Sequence, residues 1–416
     1  MNYLKNLDKK IKEYFNILEP NFPEWLNEYI NTKEMLFQKN ISVTCGKIYS
    51  KLFNYTTYYS SLDHSIAVAL IIWHFTKDKK QTLSGLFHDI ATPAFKHCID
   101  FLNGDYMSQE STEELTTKII ENSKEINALL KKDKIDISEV DDYKLYPIAD
   151  NDTPKLSADR LEYSLSNALL NNNIINIEKV KEIYNNIYVQ TNEQMKPEIG
   201  FKSENIAIEF VQITTNLSIS YRNDETRYSM QFIADILKKL NIENKITKQG
   251  LYEKTEEEII NIIESSEYKD IFNKWRQAKK VMVSKTEPTN VYYVNHGAKV
   301  RYIDPLVNEK RISTMSKKAN DLIQNNLSYN MNNYVYLDFN FWHIIIQTNN
   351  LNTFNILNNS LKENKKLDYK QFLFLLLNII YTKKIFDKII SILYILTVTI
   401  LKHIILFRKK EKMQFI

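Results

Sequence analysis

Glycine and proline are scarce in this sequence, 6 and 8 among 416 residues. Tight turns recruit both, so their shortage argues against a fold of many short strands and for long helices with few sharp corners. Cysteine is scarcer still. Two thiols, Cys45 and Cys98, cannot build a Cys-based zinc cluster. No apolar leader opens the chain, and the pair reads as reduced thiols of a cytoplasmic protein. An excess of charge is also missing, since 55 basic and 51 acidic residues leave a net +4. That balance, with no clustered basic stripe, does not favour a specific nucleic-acid partner. No internal repeat is visible.

What is present is helical periodicity, and the fold class it implies is all-α. Residues 1–54 carry mixed helical patterning and read as a segment packing on the core, with "FPEWLNEYI" opening a helix at its proline. In "SLDHSIAVALIIWHF", His64, Ala67, Val68, Ile71, Ile72 and Phe75 recur at three- and four-residue steps, one face of a helix. A second helix ends in His88-Asp89, with a breaker at Pro93. Residues 108–131 predict one amphipathic helix, and another begins near Lys155. These elements make residues 55–175 the core of the candidate site, and 176–340 a helical extension of it. Within the extension, the β-branched and aromatic residues near 288–305 predict a small hairpin.

The end of the chain changes character. Residues 341–371 read as a polar linker and 372–416 as a hydrophobic tail. The run 389–407 would extend roughly 28 Å as a helix, close to the hydrocarbon thickness of a bilayer. It fits either a membrane anchor or membrane-surface helix, or a buried helix packed on the main domain.

The chain has seven histidines, and His64, His88 and His97 fall within 34 residues. His64 lies on the apolar face of its helix. Asp89 adjoins His88, and Asp159 opens the helix "ADRLEYS", with Glu162 and Tyr163 following on its side. Two imidazoles and two carboxylates suit Mn²⁺, Fe²⁺, Co²⁺, Ni²⁺ or Zn²⁺, with positions left for water or a phosphate oxygen. His74, ten residues beyond His64, falls on another face. Asp150 and Asp152 in "ADNDTP" fit an ordinary turn. His296, Lys299 and Arg301 in "NHGAKVRY" are a further group able to reach a phosphate.

The pattern of His64, His88-Asp89 and Asp159 resembles the HD-domain superfamily of metal-dependent phosphohydrolases. "LSGLFHDIATPAFKHCIDF" and "ADRLEYS" are most similar to its deoxynucleoside triphosphate triphosphohydrolase branch. The resemblance spans roughly 55–170 by motif. It implies an all-helical bundle in which His64, His88, Asp89 and Asp159 hold the divalent metal, and in which copies of the chain assemble. His97 and Asp100 match the later His and Asp of that branch. Thr92 stands where the branch has a His, and Gln109-Glu110 where it has a catalytic His-Glu pair. Gln cannot donate and recover a proton. Metal-assisted hydrolysis of a nucleotide or related phosphate ester is therefore the activity carried over. In that scheme Glu110 takes or relays the proton of water, His97 touches phosphate or protonates the leaving oxygen, and Asp100 orients His97. Arg160, Tyr163 and Gln109 line the substrate. The alternative is a non-catalytic sensor or scaffold that binds metal or nucleotide and attaches to a membrane or partner through its tail.

Overall fold

The computed structural model describes residues 3–108, 115–289 and 291–337. Two compact units are distinguished. Met1–Pro288 with Tyr293–Leu337 form the first, which carries every element below, and the second falls almost wholly outside the described residues. The linker and tail expected at 341–371 and 372–416 lie outside the described residues, as does the apolar run 389–407. Among the described residues, no helix is long and apolar enough to cross a membrane.

Short helices α1 (Lys9–Leu18), α2 (Leu26–Ile30) and α3 (Lys33–Phe37) lead into α4 (Ser61–Thr76) and α5 (Lys79–Phe87). Then come α6 (Cys98–Asn103), α7 (Thr116–Asn122), α8 (Lys124–Asp133), α9 (Ala158–Ser166), which continues into a π-helical turn, and α10 (Ile177–Asn185). The later helices are α11 (Glu204–Ser220), α12 (Asp224–Ile242), α13 (Gly250–Glu253), α14 (Glu256–Glu264), α15 (Lys269–Gln277), α16 (Ile312–Met315) and α17 (Lys317–Leu327).

Helix α4 is the axis of the core, packing against α1, α5 and α9. The periodicity suggested a single apolar face. Instead every residue from Ser61 to Ile72 is buried, because Leu62, Ile66, Ala69 and Leu70 fill the remaining sides. A helix apolar all round belongs inside a protein. Its start is fixed by a capping box: Ser60 Oγ accepts from the Asp63 backbone N–H at 3.1 Å, and Asp63 Oδ2 accepts from the Ser60 N–H at 2.9 Å. His64 follows directly, in the first turn.

Three expectations are corrected. The helix predicted over 108–131 is broken at Ser123, whose extended backbone ends α7 and whose side chain caps α8 by accepting from Ile126 N–H. The chain also builds two small sheets. Strands β1 (Ile187–Thr191) and β2 (Pro197–Phe201) form an antiparallel pair that the sequence reading missed. β2 runs parallel to β5 (Leu306–Val307), and β5 pairs with β6 (Lys310–Arg311). Finally, among the described residues of 288–305 no local hairpin forms. Strand β4 (Tyr293–Val294) pairs instead with β7 (Tyr334–Tyr336), which also pairs with β3 (Met282–Ser284). Beyond β4 the backbone is committed elsewhere: the His296 carbonyl accepts from Arg227 at 2.6 Å, and Lys299 N–H donates to the Tyr106 carbonyl at 3.1 Å.

Candidate metal centre and its cavity

Three elements converge on one point. The first turn of α4 supplies His64, the end of α5 supplies His88 and Asp89, and the first turn of α9 supplies Asp159. His64 Nε2 lies 3.2 Å from His88 Nε2 and 3.2 Å from Asp159 Oδ1. His88 Nε2 lies 3.8 Å from both Asp89 Oδ1 and Asp159 Oδ1, and His64 Nε2 lies 3.9 Å from Asp89 Oδ2. Ligand atoms about 2.1 Å from a common ion are separated by about 3.0 Å at a right angle and about 4.2 Å when opposed. All five spacings fall in that interval. Donor atoms of His64, His88 and Asp89 all lie within 4.8 Å of one another.

The far side of each ring is occupied. His88 Nδ1 donates to the Gly85 carbonyl at 2.7 Å, one turn back in α5. His64 Nδ1 meets Glu162, a carboxylate with no solvent exposure. Glu162 is held in turn by the hydroxyls of Tyr59 at 2.7 Å, Tyr14 at 3.3 Å and Ser166 at 3.3 Å. Both imidazoles thus turn Nε2 to the centre, the arrangement of metal-bound histidines oriented by outer partners. Burial lowers the His64 pKa, but the Glu162 and Asp159 carboxylates outweigh it and raise the value to about 10. Burial likewise raises the Asp89 pKa, and Lys96, His88 and His64 outweigh it, holding the carboxyl well below its usual range. Asp159 is also lowered, burial being overcome by His64. The surroundings keep positive charge between ionised carboxylates, which suits a divalent cation.

The centre opens into a cavity of about 650 Å³. Besides the four side chains, it is lined by Lys96, Lys144, Lys155, Lys196, Lys299 and Arg301, with Tyr55, Tyr163 and Tyr221 on its apolar parts. Lys96 Nζ donates to Asp89 Oδ2 at 2.6 Å. His97 lines the same space, and its Nδ1 meets Asp100 Oδ2 at 2.9 Å. Burial, aided by Arg301 and Lys96, lowers the His97 pKa against the pull of Asp100.

The other sequence candidates divide. Tyr163, Lys299 and Arg301 reach the cavity. Arg160 reaches it too, but its guanidinium clamps the loop before α9, donating to Asn151 Oδ1 at 2.6 Å and pairing with Asp150 at 3.4 Å. Asp150 and Asp152, read as turn residues, also line the cavity, and burial raises the Asp150 pKa to about 6. His296 is not among the lining residues; it stacks on Tyr106 at 4.6 Å between ring centres. His74 faces Glu19 at 3.5 Å, away from the centre. Gln109 and Glu110 lie outside the described residues. Sequence reasoning missed Lys96, although it adjoins His97, and it gave Glu162 no partner. Its one clue to Glu162 was the three-residue step from Asp159.

No family model matches the chain. The uncharacterized protein YdhJ of Bacillus subtilis (strain 168) is 24% identical over 259 residues, covering 62% of this chain and 76% of that protein. A hypothetical protein from Aquifex aeolicus aligns over 76% of this chain and 93% of its own, with TM-score 0.47 and 14% identity. A phosphohydrolase from Bacteroides thetaiotaomicron aligns over 80% of this chain and 97% of its own, with TM-score 0.49 and 12% identity.

Proposed function

We propose that this chain is a metal-dependent phosphohydrolase of the HD type, acting on a small phosphorylated substrate, with a nucleotide the first choice. One observation carries the reading: donor atoms of His64, His88 and Asp89 cluster, with Asp159 Oδ1 beside both imidazoles, in a cavity whose other charged groups are mainly basic. His64, His88, Asp89 and Asp159 would hold the ion, and their nitrogen and oxygen donors suit Mn²⁺, Fe²⁺, Co²⁺, Ni²⁺ or Zn²⁺. When bound, such an ion supplies a water nucleophile at neutral pH and offsets charge on phosphoryl oxygens.

The chain's own residues supply the rest. Lys299 and Arg301 bring positive charge to the cavity and would bind phosphate oxygens. Burial, Arg301 and Lys96 lower the His97 pKa, and phosphate beside it would raise its proton affinity. Its Nδ1–H donated to Asp100 leaves Nε2 to carry a proton to the leaving oxygen. Tyr55, Tyr163 and Tyr221 offer apolar faces for a base or another planar group.

The test joins elemental analysis to a hydrolysis screen of nucleotides, cyclic nucleotides and simple phosphoesters. The purified protein is expected to carry or take up a divalent transition metal and to turn over part of the panel. His88→Ala and Asp89→Ala should lose both properties. Intact metal binding with no turnover across the panel would favour the sensor or scaffold reading.

A further inference from the structure

We infer that Lys96 is a fixed second cation of the metal centre: its ammonium closes one Asp89 oxygen to a second metal ion and contacts a phosphoryl oxygen of the substrate, so that the site works with one ion. The inference rests on the phosphohydrolase reading above and concerns how that site is built.

The two oxygens of Asp89 have different neighbours. Oδ1 lies 3.8 Å from His88 Nε2. Oδ2 lies 3.9 Å from His64 Nε2 and accepts from Lys96 Nζ at 2.6 Å and from Ser61 Oγ at 3.2 Å. A carboxylate that bridges two ions must give one oxygen to each, and here a full positive charge already stands at the second oxygen. Among the described residues, the only group of three or more potential ligands is the one containing His64, His88 and Asp89.

The backbone is shaped to place this ammonium. Phe95 and Lys96 are consecutive non-glycine residues in the left-handed region, with φ of 64° and 44°. That conformation crowds Cβ against the backbone and persists only where the surroundings enforce it. Three separate segments do so. The Phe95 N–H donates to Glu256 Oε1 at 3.3 Å, and the Ala94 N–H donates to the Leu251 carbonyl at 2.9 Å. The Phe95 ring, fully buried, packs on Gly46, where an added Cβ would stand 2.6 Å from Phe95 Cδ1. The product of this turn is a lysine whose side chain is 11% exposed. Its ammonium lies beside a metal-ligand carboxylate, on the wall of the cavity that also holds His97. An oxygen sharing the ion with Asp89 would lie about 3 Å from the carboxylate, within reach of Lys96.

The experiment has two readouts. Wild-type protein loaded with Mn²⁺ and dialysed should hold one ion per chain by elemental analysis. Calorimetry with inorganic phosphate, on the Mn²⁺-loaded protein, should show affinity falling at least about tenfold in Lys96→Gln while the ion stays bound. Lys96→Arg, which keeps the charge, should recover most of the loss. Two ions per wild-type chain, unchanged phosphate affinity in Lys96→Gln, or an arginine variant no better than glutamine would each overturn the inference. If Lys96→Gln has no cooperative melting transition, the wild-type stoichiometry and the arginine variant decide. Failure of the wild type to bind any ion would defeat the phosphohydrolase reading itself, a result distinct from binding two.

Discussion

Glu162 decides which nitrogen of His64 faces the centre. A buried carboxylate that accepts from Nδ1–H leaves the Nε2 lone pair for an ion, and three hydroxyls keep that carboxylate in place. Glu162→Gln removes the charge and lets the amide donate to the ring. We expect metal affinity to fall about 10–100-fold, read by competition with a chelating dye, with a smaller effect on the melting temperature. A second residue sets a pH dependence away from the ligands. Burial raises the Glu256 pKa from 4.5 to about 7, although Tyr49, the backbone N–H groups of Phe95 and Ser42, and the charge of Lys96 oppose the shift. The folded state therefore binds this proton more tightly than the unfolded chain. Its contribution is fullest below about pH 4.5 and is lost as pH rises to about 7, by up to about 3 kcal/mol. Urea unfolding between pH 5 and 8 should show that decline in the wild type. Glu256→Gln should flatten it.

At the scale of elements, the centre depends on how closely α4 and α5 approach. Gly85 lies at their contact, where an added Cβ would stand 2.2 Å from Ile72 Cδ1 and 3.3 Å from Val68 Cγ1. The same glycine's carbonyl accepts from His88 Nδ1–H. Gly85→Ala should cost about 1–3 kcal/mol through overpacking. Ile72→Val deletes the clashing methyl, so the double variant should unfold at a higher denaturant concentration than Gly85→Ala alone. Additive losses would mean that α4 and α5 yield by some other route. This part of the site was legible in the sequence because each candidate ligand sits at a helix end that local residues define. Ser60 and Asp63 fix the turn bearing His64, and Ser157 caps the helix bearing Asp159 by accepting from Arg160 N–H at 3.2 Å. The β1–β2 pair was not read, since its strands are short and its turn, "NEQMK", has no glycine.

At the scale of the whole first unit, the small sheet ties the later chain to the site. Glu198 of β2 is completely buried and pairs with Arg311 of β6 at 2.5 Å. It also accepts from the Leu156 N–H at 3.2 Å, in the loop that leads to Asp159. Arg311→Met would leave that carboxylate buried with its main counter-charge gone. The expected loss is about 3–5 kcal/mol in unfolding free energy, together with weaker metal binding as the loop before Asp159 loosens. A variant that kept wild-type stability would show that water reaches Glu198. The basic lining is likewise a product of the full fold. Lys96 comes from the turn after α5, Lys155 from the loop before α9, Lys196 from the β1–β2 turn, and Arg301 from the segment before β5.

The sequence by itself determined the mostly helical character and singled out four side chains, of which His64, His88 and Asp89 cluster and Asp159 lies beside His64. Scarce turn formers, helical spacing and caps act over a few residues, so a linear reading can recover them. Only the tertiary structure decided what surrounds those four. Glu162 behind His64 depends on the packing of α9 against α4, Lys96 against Asp89 on a left-handed turn, and Arg301 across the cavity on a later segment whose β5 pairs with β2 more than a hundred positions away. Charge acts through space, and distance along the chain gives no measure of it until the core has closed.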